Sequence, residues 1–385
     1  MMISREASDI LIEMSKSFRA VALTGPRQSG KTTLVKNGFP GKPYVSLENP
    51  IERNLALTDP VRFLGRFPSG AILDEVQRAP ELFSYLQQIL DETNERGLFI
   101  LTGSNNFLLL ESITQSLAGR VGYLDLLPFS YGESITAALP PVSLNEFIFF
   151  GGYPSLIYDK VLPEVWFPSY VRTYVERDVR QIKNITDLNL FQRFLNLCAG
   201  RIGQQINLSN LGNDVGVDYK TIQSWLGILQ ASYIIHLLPP YYKNFNKRIV
   251  KSQKLYFYDT GLASFLLGLT SSGQLESSVH RGPLFENFIV SELLKSRFNK
   301  AQRSNLFYFR DSTGNEIDVL LDHGATQTVI EIKSGETLND SFFKNLAYFE
   351  KLTRQKGGVL MYAGDKAGFE YKNYQVKNWK QISTI

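Results

Sequence analysis

One glycine-rich segment constrains the fold of this chain more than any other feature. It lies between the apolar run at residues 20–23 and a segment that favours a helix, and its spacing is Gly-x-x-x-x-Gly-Lys-Thr. Glycines at these positions let backbone N–H groups surround phosphate oxygens. The sequence therefore predicts a P-loop, in which Lys31 neutralises the β and γ phosphates and the Thr32 hydroxyl binds Mg²⁺. The predicted nucleotide-binding residues are Gly25, Pro26, Arg27, Gln28, Ser29, Gly30, Lys31, Thr32 and Thr33.

A second apolar run, at residues 71–73, ends in Asp74 and Glu75. This is the pattern of a buried parallel strand that carries carboxylates at its C-terminal end. We expect Asp74 to hold Mg²⁺ and Glu75 to polarise the attacking water, because that role needs a carboxylate beside the metal but not bound to it. Alone, the pair also suits a strand followed by a solvated acidic turn. After a P-loop, it predicts a Walker B strand.

Polar residues follow a third apolar run, at residues 98–101. A hydroxyl or amide at the end of this strand would contact the γ-phosphate and sense its presence. We expect Ser104 to take this role, with Thr102 and then Asn105 as alternatives, since strand ends are often polar for other reasons.

The composition is that of a globular protein with a large core, because 43% of the 385 residues are hydrophobic and 12% are aromatic. No apolar stretch approaches the ~18 residues of a membrane span, and the N-terminus does not suit a signal peptide, so we expect a cytoplasmic protein. Cys198 is the single cysteine and falls on an apolar helical face, which favours core packing. One cysteine and three histidines exclude a structural zinc site.

Up to about residue 130, short apolar strands alternate with helical segments, which predicts an α/β fold with a parallel sheet. Ligand sites of such sheets lie beyond the carboxyl ends of the strands, where the predicted site residues fall. The aromatic, helical stretch 145–180 is broken at 151–154 and suits a lid over the nucleotide. The predicted strands are Ala20–Thr24, Tyr44–Leu47, Ala71–Asp74, Leu98–Thr102 and Tyr123–Leu127.

Residues 208–226 have the spacing of a helix, a tight turn and a second helix. We expect Ser209 and Asp218 to cap the two helices and Gly216 to permit the turn. Exposed side chains of the second helix, Lys220 among them, would then face a nucleic-acid groove.

The chain between Tyr219 and Tyr258 carries six basic residues and no Asp or Glu. The basic cluster after Pro240 suits the wing of a winged helix that contacts phosphates. We therefore expect DNA to be a partner, bound through residues around Lys220 and the segment 243–254. A small helical domain for protein packing, with a solvated basic hairpin, is the alternative. The basic residues are Lys220, Lys243, Lys247, Arg248, Lys251 and Lys254.

The last third of the chain returns to strands, which present Asp318 on one strand and Glu331 and Lys333 on the next. Alternate residues of a strand share a face, so Glu331 and Lys333 point the same way. A paired Asp and Glu can hold Mg²⁺, and the ammonium group can orient or deprotonate a water for attack on a phosphodiester. This is the arrangement of PD-(D/E)XK nucleases, to which Glu286 could add an acid. Amphipathic strands without a site are the alternative.

Eight motifs follow one another along nearly the whole chain: Gly25–Thr32, Leu73–Gln77, Leu101–Ser104, Leu117–Arg120, Lys254–Leu262, Gly282–Asn287, Glu316–Asp318 and Glu331–Lys333. Together they resemble a widespread bacterial and archaeal family of AAA-type ATPases whose C-terminal domain has unknown function. The resemblance implies an AAA-type ATPase core, a winged helix and a restriction-endonuclease-like domain, with ATP as ligand.

The same resemblance implies a role for Arg120, which would stabilise charge on the γ-phosphate, from a neighbouring subunit of a homo-oligomer. A salt bridge at the strand edge is the alternative for Arg120. Arg177 and Arg180 are rival candidates for the same role.

We therefore expect an α/β protein in three parts: an AAA-type P-loop domain with a helical lid over 1–186, a winged helix-turn-helix over 187–270, and a PD-(D/E)XK nuclease-like domain over 271–385. In the first hypothesis, ATP hydrolysis with Mg²⁺ changes how the later parts engage DNA. In the second, the protein is a nucleotide-gated regulatory module whose C-terminal fold packs against a partner and cuts nothing.

Overall fold

The computed structural model describes residues 3–104, 117–137, 143–175, 187–241, 252–366 and 368–385. The chain forms two compact units. The first comprises Met1–Phe129, Ala231–Tyr233 and Arg297–Arg303, and the second comprises Ser130–Gln230, Ile234–Ser296 and Ser304–Ile385. Within the described ranges, no helix is both long and apolar enough to cross a bilayer.

The first unit is built on short strands and the helices that connect them. A 3₁₀ turn, Val76–Arg78, follows the third strand. The elements are α1 (Ala7–Ser17), β1 (Ala20–Thr24), α2 (Lys31–Gly38), β2 (Tyr44–Ser46), α3 (Pro50–Thr58), α4 (Pro60–Gly65), β3 (Ala71–Asp74), α5 (Leu82–Glu92), β4 (Phe99–Thr102) and β5 (Val121–Asp125).

The five strands form one parallel sheet in the order β2–β3–β4–β1–β5. Every residue of β1, β3 and β4 is buried, as is typical of a parallel sheet with both faces covered. Alternate residues of β1 enter different clusters: Ala20 and Ala22 pack in one, Val21 and Leu23 in the other. The predicted α/β parallel sheet is therefore confirmed, although β5 begins earlier than expected, at Val121.

The second unit begins with helices and ends with a sheet. A π-helical turn, Val171–Val175, follows the fourth of its helices. The helices are α6 (Tyr131–Thr136), α7 (Leu144–Phe150), α8 (Pro154–Ile157), α9 (Pro163–Tyr170), α10 (Leu188–Ala199), α11 (Leu208–Val215), α12 (Tyr219–Ala231), α13 (Thr260–Leu266), α14 (Gln274–Ser277), α15 (Arg281–Phe298) and α16 (Lys344–Thr353). Cys198 is buried in α10, as expected.

Helices α11 and α12 are joined by a tight turn. Gly216 takes a left-handed conformation there, and Asp218 accepts hydrogen bonds from the backbone N–H groups of Lys220 (2.8 Å) and Thr221 (3.1 Å). Both expectations are confirmed. The expected cap at Ser209 is wrong, because Asn207 caps α11 by accepting from the N–H of Asn210, which leaves Ser209 inside the helix.

Two strands, β6 (Ile235–Leu238) and β7 (Lys254–Phe257), then form an antiparallel pair. The basic residues 243–251, which the sequence assigns to a wing, lie outside the described residues. In the described residues, a helix, a tight turn, a helix and this strand pair follow one another; the winged helix itself stays a prediction.

A six-stranded sheet completes the second unit. Strands β8, β9 and β10 form an antiparallel meander, β11 lies parallel to β10, and α16 connects these two. With α15 in front, the order is helix, three antiparallel strands, helix, parallel strand. The sheet order is β12–β13–β11–β10–β9–β8. The strands are β8 (Leu306–Arg310), β9 (Glu316–Asp322), β10 (Gln327–Lys333), β11 (Val359–Tyr362), β12 (Phe369–Tyr371) and β13 (Tyr374–Asn378).

Asp259 joins two parts of the second unit. Its buried carboxylate accepts hydrogen bonds from the N–H of Gly152 (2.7 Å), in the loop after α7, and from the N–H of Leu262 (2.9 Å), as the N-cap of α13. One side chain thus satisfies two backbone donors and fixes the loop to the helix.

Replacing Asp259 with alanine should lower the free energy of unfolding by about 2 to 4 kcal/mol, because two backbone donors lose a buried acceptor. Chemical unfolding of the full chain, followed by circular dichroism, measures this loss. Asp187→Ala is the matched control, since it removes the exposed N-cap of α10, at a cost of about 1 kcal/mol. Equal losses in both variants would contradict the role of Asp259.

Candidate functional site

The P-loop runs from the end of β1 to the start of α2, and its backbone is held from two sides. Gly25 has a φ of 144°, and a Cβ there would lie 2.1 Å from the carbonyl oxygen of Leu126. Only glycine fits this position. The buried Arg5 donates to the carbonyl oxygens of Ser29 (2.8 Å) and Leu127 (2.7 Å), which ties the loop to the chain after β5.

Two buried polar groups of the loop fit a phosphate ligand. The Nζ atom of Lys31 donates to the carbonyl oxygens of Gly25 (2.9 Å) and Pro26 (2.7 Å). The Oγ atom of Ser29 is buried and has no hydrogen-bond partner in the described part of the chain. A buried hydroxyl without a partner is costly, and a phosphate oxygen would satisfy it.

The other predicted loop residues lie around these groups. Gln28 adopts a left-handed conformation, and Thr33 is exposed in the first turn of α2. Arg27 lies 4.0 Å from the carboxylate of Glu48, which also binds Arg78 at 2.8 Å. The carboxylate of Glu48 thus lies within ion-pair distance of two arginines, Arg27 in the loop and Arg78 after β3.

Asp74 joins three strands and the P-loop helix. Its Oδ2 atom accepts from the hydroxyls of Thr32 (3.1 Å) and Tyr44 (2.6 Å), and its Oδ1 atom accepts from Thr102. Partial burial and the hydrogen bond to Asp74 raise the pKa of Tyr44. Thr32 and Asp74, the two predicted Mg²⁺ ligands of this unit, are thus brought together, in a donor set of hydroxyl and carboxylate oxygens that suits Mg²⁺.

Glu75 follows Asp74 in a left-handed backbone conformation. Its Oε2 atom accepts hydrogen bonds from the side chains of Gln77 (2.6 Å) and Ser104 (3.0 Å). The predicted water-polarising carboxylate and the predicted γ-phosphate sensor are therefore in direct contact. Sequence reasoning did not assign a role to Gln77. Its position two residues after Glu75 was the only local indication that the two side chains could be in contact. Asn105 lies outside the described residues.

Arg120 pairs with a carboxylate far from the P-loop. Its guanidinium makes two hydrogen bonds to Asp91, one of them 2.9 Å from Nη2 to Oδ2. Arg120 precedes β5, and β5 is parallel to β1, so it lies at the edge of the sheet opposite the P-loop. It does not reach the nucleotide site of its own subunit; a role from a neighbouring subunit stays a prediction. Arg177 and Arg180 lie outside the described residues.

A polar cluster in the first unit surrounds Thr24, the residue before the P-loop. The Thr24 hydroxyl donates to Asp125 (2.7 Å) and lies 2.7 Å from the hydroxyls of both Tyr123 and Tyr233. Tyr233 also donates to Asp125. Sequence reasoning missed this cluster, because nothing near Tyr233 indicates contact with a strand so distant in the chain.

The C-terminal sheet brings together Asp318, Glu331 and Lys333. The Nζ atom of Lys333 lies 2.6 Å from Oε1 of Glu331 and 3.7 Å from Oδ2 of Asp318. Oδ2 of Asp318 also accepts from the N–H of Ile332 (2.7 Å), and Asn345 donates to Oε1 of Glu331 (2.8 Å). The expected convergence of the three side chains on adjacent strands is present.

The other carboxylate oxygen of Glu331 carries the strongest sign of a missing ligand. Glu331 is fully buried, and its Oε2 atom has no hydrogen-bond partner among the described residues. Burial and the neighbouring Asp318 raise the pKa of Glu331 to about 8. Burial alone would lower the pKa of Lys333, but the charges of Asp318 and Glu331 raise it. A cation beside Oε2 would compensate the buried charge, so the residues fit a divalent ion.

Lys254 lies in this cluster and not on the surface. It is 2% exposed, and its Nζ atom is 3.0 Å from Glu286 and also contacts Glu316. The expectation that Lys254 contacts DNA is therefore wrong: its charge is neutralised inside the protein. In the described ranges, no group of three or more His, Cys, Asp or Glu residues has the geometry of a metal centre.

Comparison with known families divides the chain into three segments. Residues 17–135 match the AAA domain, residues 142–273 match a domain of unknown function (DUF8612), and residues 281–382 match a second domain of unknown function (DUF4143). With the sheet order and the P-loop geometry, the first match defines an AAA-type P-loop domain.

Similar proteins occur in bacteria and archaea. An uncharacterised protein of Mycobacterium tuberculosis is 28% identical over 82% of this chain and 70% of its own length. An uncharacterised protein of Methanocaldococcus jannaschii is 24% identical over 75% of this chain and 67% of its own length. Among solved structures, the Walker-type ATPase of Pyrococcus abyssi aligns over 69% of this chain and 96% of its own, at 15% identity and a TM-score of 0.45.

Proposed function

We propose that the first unit binds ATP with Mg²⁺ and hydrolyses it. The observation that carries this proposal is the contact between Thr32 and Asp74, 3.1 Å apart beside the P-loop. The partnerless hydroxyl of Ser29 and the match of residues 17–135 to the AAA domain support it. Mg²⁺, held by Thr32 and Asp74, would neutralise phosphate charge.

The residues of the site have separate roles. Lys31 leaves the carbonyl oxygens of Gly25 and Pro26 and binds phosphate, a stronger partner because it is charged. Glu75 orients the attacking water, and Ser104 holds Glu75 until the γ-phosphate competes for the Ser104 hydroxyl. Hydrolysis then depends on nucleotide contact at Ser104.

Lys31→Ala should abolish ATP binding, because the phosphates lose their buried counter-charge. Glu75→Gln should retain ATP binding and lower hydrolysis by at least about 100-fold, as expected for loss of a group that orients or activates water. Binding of a fluorescent ATP analogue and release of inorganic phosphate measure the two steps. Lys16→Ala, which removes an exposed lysine of α1, is the control and should change neither. Unchanged ATP affinity in Lys31→Ala would refute the proposal.

We propose that residues 187–270 bind DNA through the helix-turn-helix formed by α11 and α12. Tyr219, Lys220 and Gln223 are exposed on α12, the position of a recognition helix. From Tyr219 to Tyr258 the chain has basic residues but no Asp or Glu, so the electrostatic potential of this segment should attract phosphates. Lys254 takes no part in this surface, since it is buried.

Lys220→Ala should weaken DNA binding and reduce the slope of log affinity against log salt by about 1, the effect of losing one phosphate contact. Fluorescence anisotropy with labelled duplex DNA measures both quantities. Arg193→Ala removes an exposed positive charge from α10, outside the helix-turn-helix, and is the matched control. Equal effects of the two variants would show that only the net charge matters.

For the C-terminal residues 271–385, we propose a divalent-cation site that cleaves phosphodiester bonds. The buried, partnerless Oε2 atom of Glu331 carries this proposal, and the order of α15, β8 to β11 and α16 supports it. Asp318 and Glu331 would hold Mg²⁺, which would activate water. Lys333, whose Nζ atom lies beside both carboxylates, would stabilise phosphate charge or orient the attacking water.

Asp318→Ala and Lys333→Ala should each reduce Mg²⁺-dependent cleavage of DNA by at least about 100-fold. Gel analysis of single- and double-stranded DNA, with and without ATP, measures the activity. Lys380→Ala, an exposed lysine paired with Asp365, is the control. If the unmodified protein cleaves nothing under any of these conditions, the second function is favoured: a nucleotide-gated regulatory module with an inactive C-terminal fold.

A further inference from the structure

A buried lysine lies between two carboxylates that take no part in the proposed cation site. The side chain of Lys254, on β7, is 3% exposed and contacts Glu286 of α15 (3.0 Å) and Glu316 of β9. Tyr256 donates to the same oxygen of Glu286 at 2.5 Å. A lone ammonium group is expensive to bury, so its place is set by these acceptors.

The two carboxylates belong to the same cluster as the cation site. Glu316 and Asp318 occupy alternate positions of β9 and therefore share a face of the sheet. The charge of Asp318 also acts on Lys254 and on Glu286. The cluster is thus continuous, with two pairs of acids side by side.

The positive charges divide the cluster into two halves. Lys254 and Arg310, whose Nη1 atom lies 2.8 Å from Oε2 of Glu316, together neutralise Glu286 and Glu316. Among the described residues, Lys333 is the one cation within ion-pair distance of Asp318 and Glu331. The first half is balanced by two cations, and the second keeps the partnerless oxygen of Glu331.

We infer that the ammonium group of Lys254 is an internal cation that occupies the place of a second divalent ion, so that the C-terminal site takes one such ion. The inference rests on the cation site proposed at Asp318 and Glu331. A carboxylate pair from a helix and a strand is the kind of ligand set that binds Mg²⁺ or Mn²⁺ with water. The bound ammonium excludes that ion from Glu286 and Glu316.

Burial alone would lower the pKa of Lys254, but Tyr256 and the surrounding carboxylates raise it, so the ammonium form persists. Lys254 lies in the segment 142–273, whereas Asp318 and Glu331 lie in the segment 281–382. Two segments that match separate families therefore build one cluster.

The test is the number of Mn²⁺ ions that the full-length protein binds without nucleotide, when Thr32 and Asp74 lack the phosphate oxygens that would complete their ligand set. Electron paramagnetic resonance of free Mn²⁺ measures this number. We expect one ion in the unmodified protein and two in Lys254→Ala, because Glu286 and Glu316 then lose their internal counter-charge. Adding Glu316→Gln to Lys254→Ala should return the number to one. A single ion in Lys254→Ala would overturn the inference.

Lys295→Ala is the matched control. Lys295 is equally buried and lies on α15, as Glu286 does, but its ion pair is with the buried Glu292, at 2.7 Å. Its loss should lower stability without adding an ion. If Lys254→Ala is unfolded in the absence of metal, Mn²⁺ should restore folding, since binding to the folded state stabilises it. A chain that stays unfolded in saturating Mn²⁺ would also overturn the inference.

The failure of the proposed cation site is distinguishable from the failure of this inference. If the unmodified protein binds no Mn²⁺, or if Asp318→Asn leaves its one ion in place, the site at Asp318 and Glu331 is wrong. If Asp318→Asn removes that ion and Lys254→Ala adds none, only the role of Lys254 is wrong.

Discussion

Parallel pairing of β1 with its neighbours β4 and β5, and of β4 with β3, is the constraint on which the first site depends. Strands about 4.8 Å apart that run the same way end at the same edge, so polar residues after each strand come within hydrogen-bond distance. The ends of β3 and β4 show the result, because Asp74 accepts from Thr102, and Glu75 accepts from Ser104. Strand pairing alone therefore brings residues that are distant in the chain into contact.

The parts of this arrangement that follow from short sequence patterns were predictable. The apolar runs gave the strands, and the polar residues at their ends gave Asp74, Glu75 and Ser104. The side chains that complete the sites were not predictable in this way. Tyr44 lies at the start of an edge strand, and Tyr233 follows a helix, so neither carries a local signal. Lys254 was misassigned because a basic residue in a basic segment looks exposed until its partners, Glu286 and Glu316, are known.

Buried lysines serve different purposes in the two sites. Lys31 donates to two carbonyl oxygens, which are dipoles, and breaking such contacts costs less than separating opposite charges. Lys254 is satisfied by carboxylates, and separating opposite charges in a buried environment costs far more. The hydrogen bonds of Lys31 therefore cost less to break than the ion pairs of Lys254, which fix that side chain in the fold.

The first unit is assembled from three separate stretches of the chain. Its residues come from Met1–Phe129, from Ala231–Tyr233 and from Arg297–Arg303, so the chain leaves it and returns. The segments between these stretches therefore form closed loops. Contacts within the first unit hold the returning stretches in place, such as those of Tyr233 with Thr24 and of Asn299 with Glu6. Closing a long loop adds entropy cost only slowly with its length, so such insertions are tolerated. A fragment that stops at residue 135 would keep all five strands of the sheet but would lack both returning segments, so the first unit is not a contiguous piece of this chain.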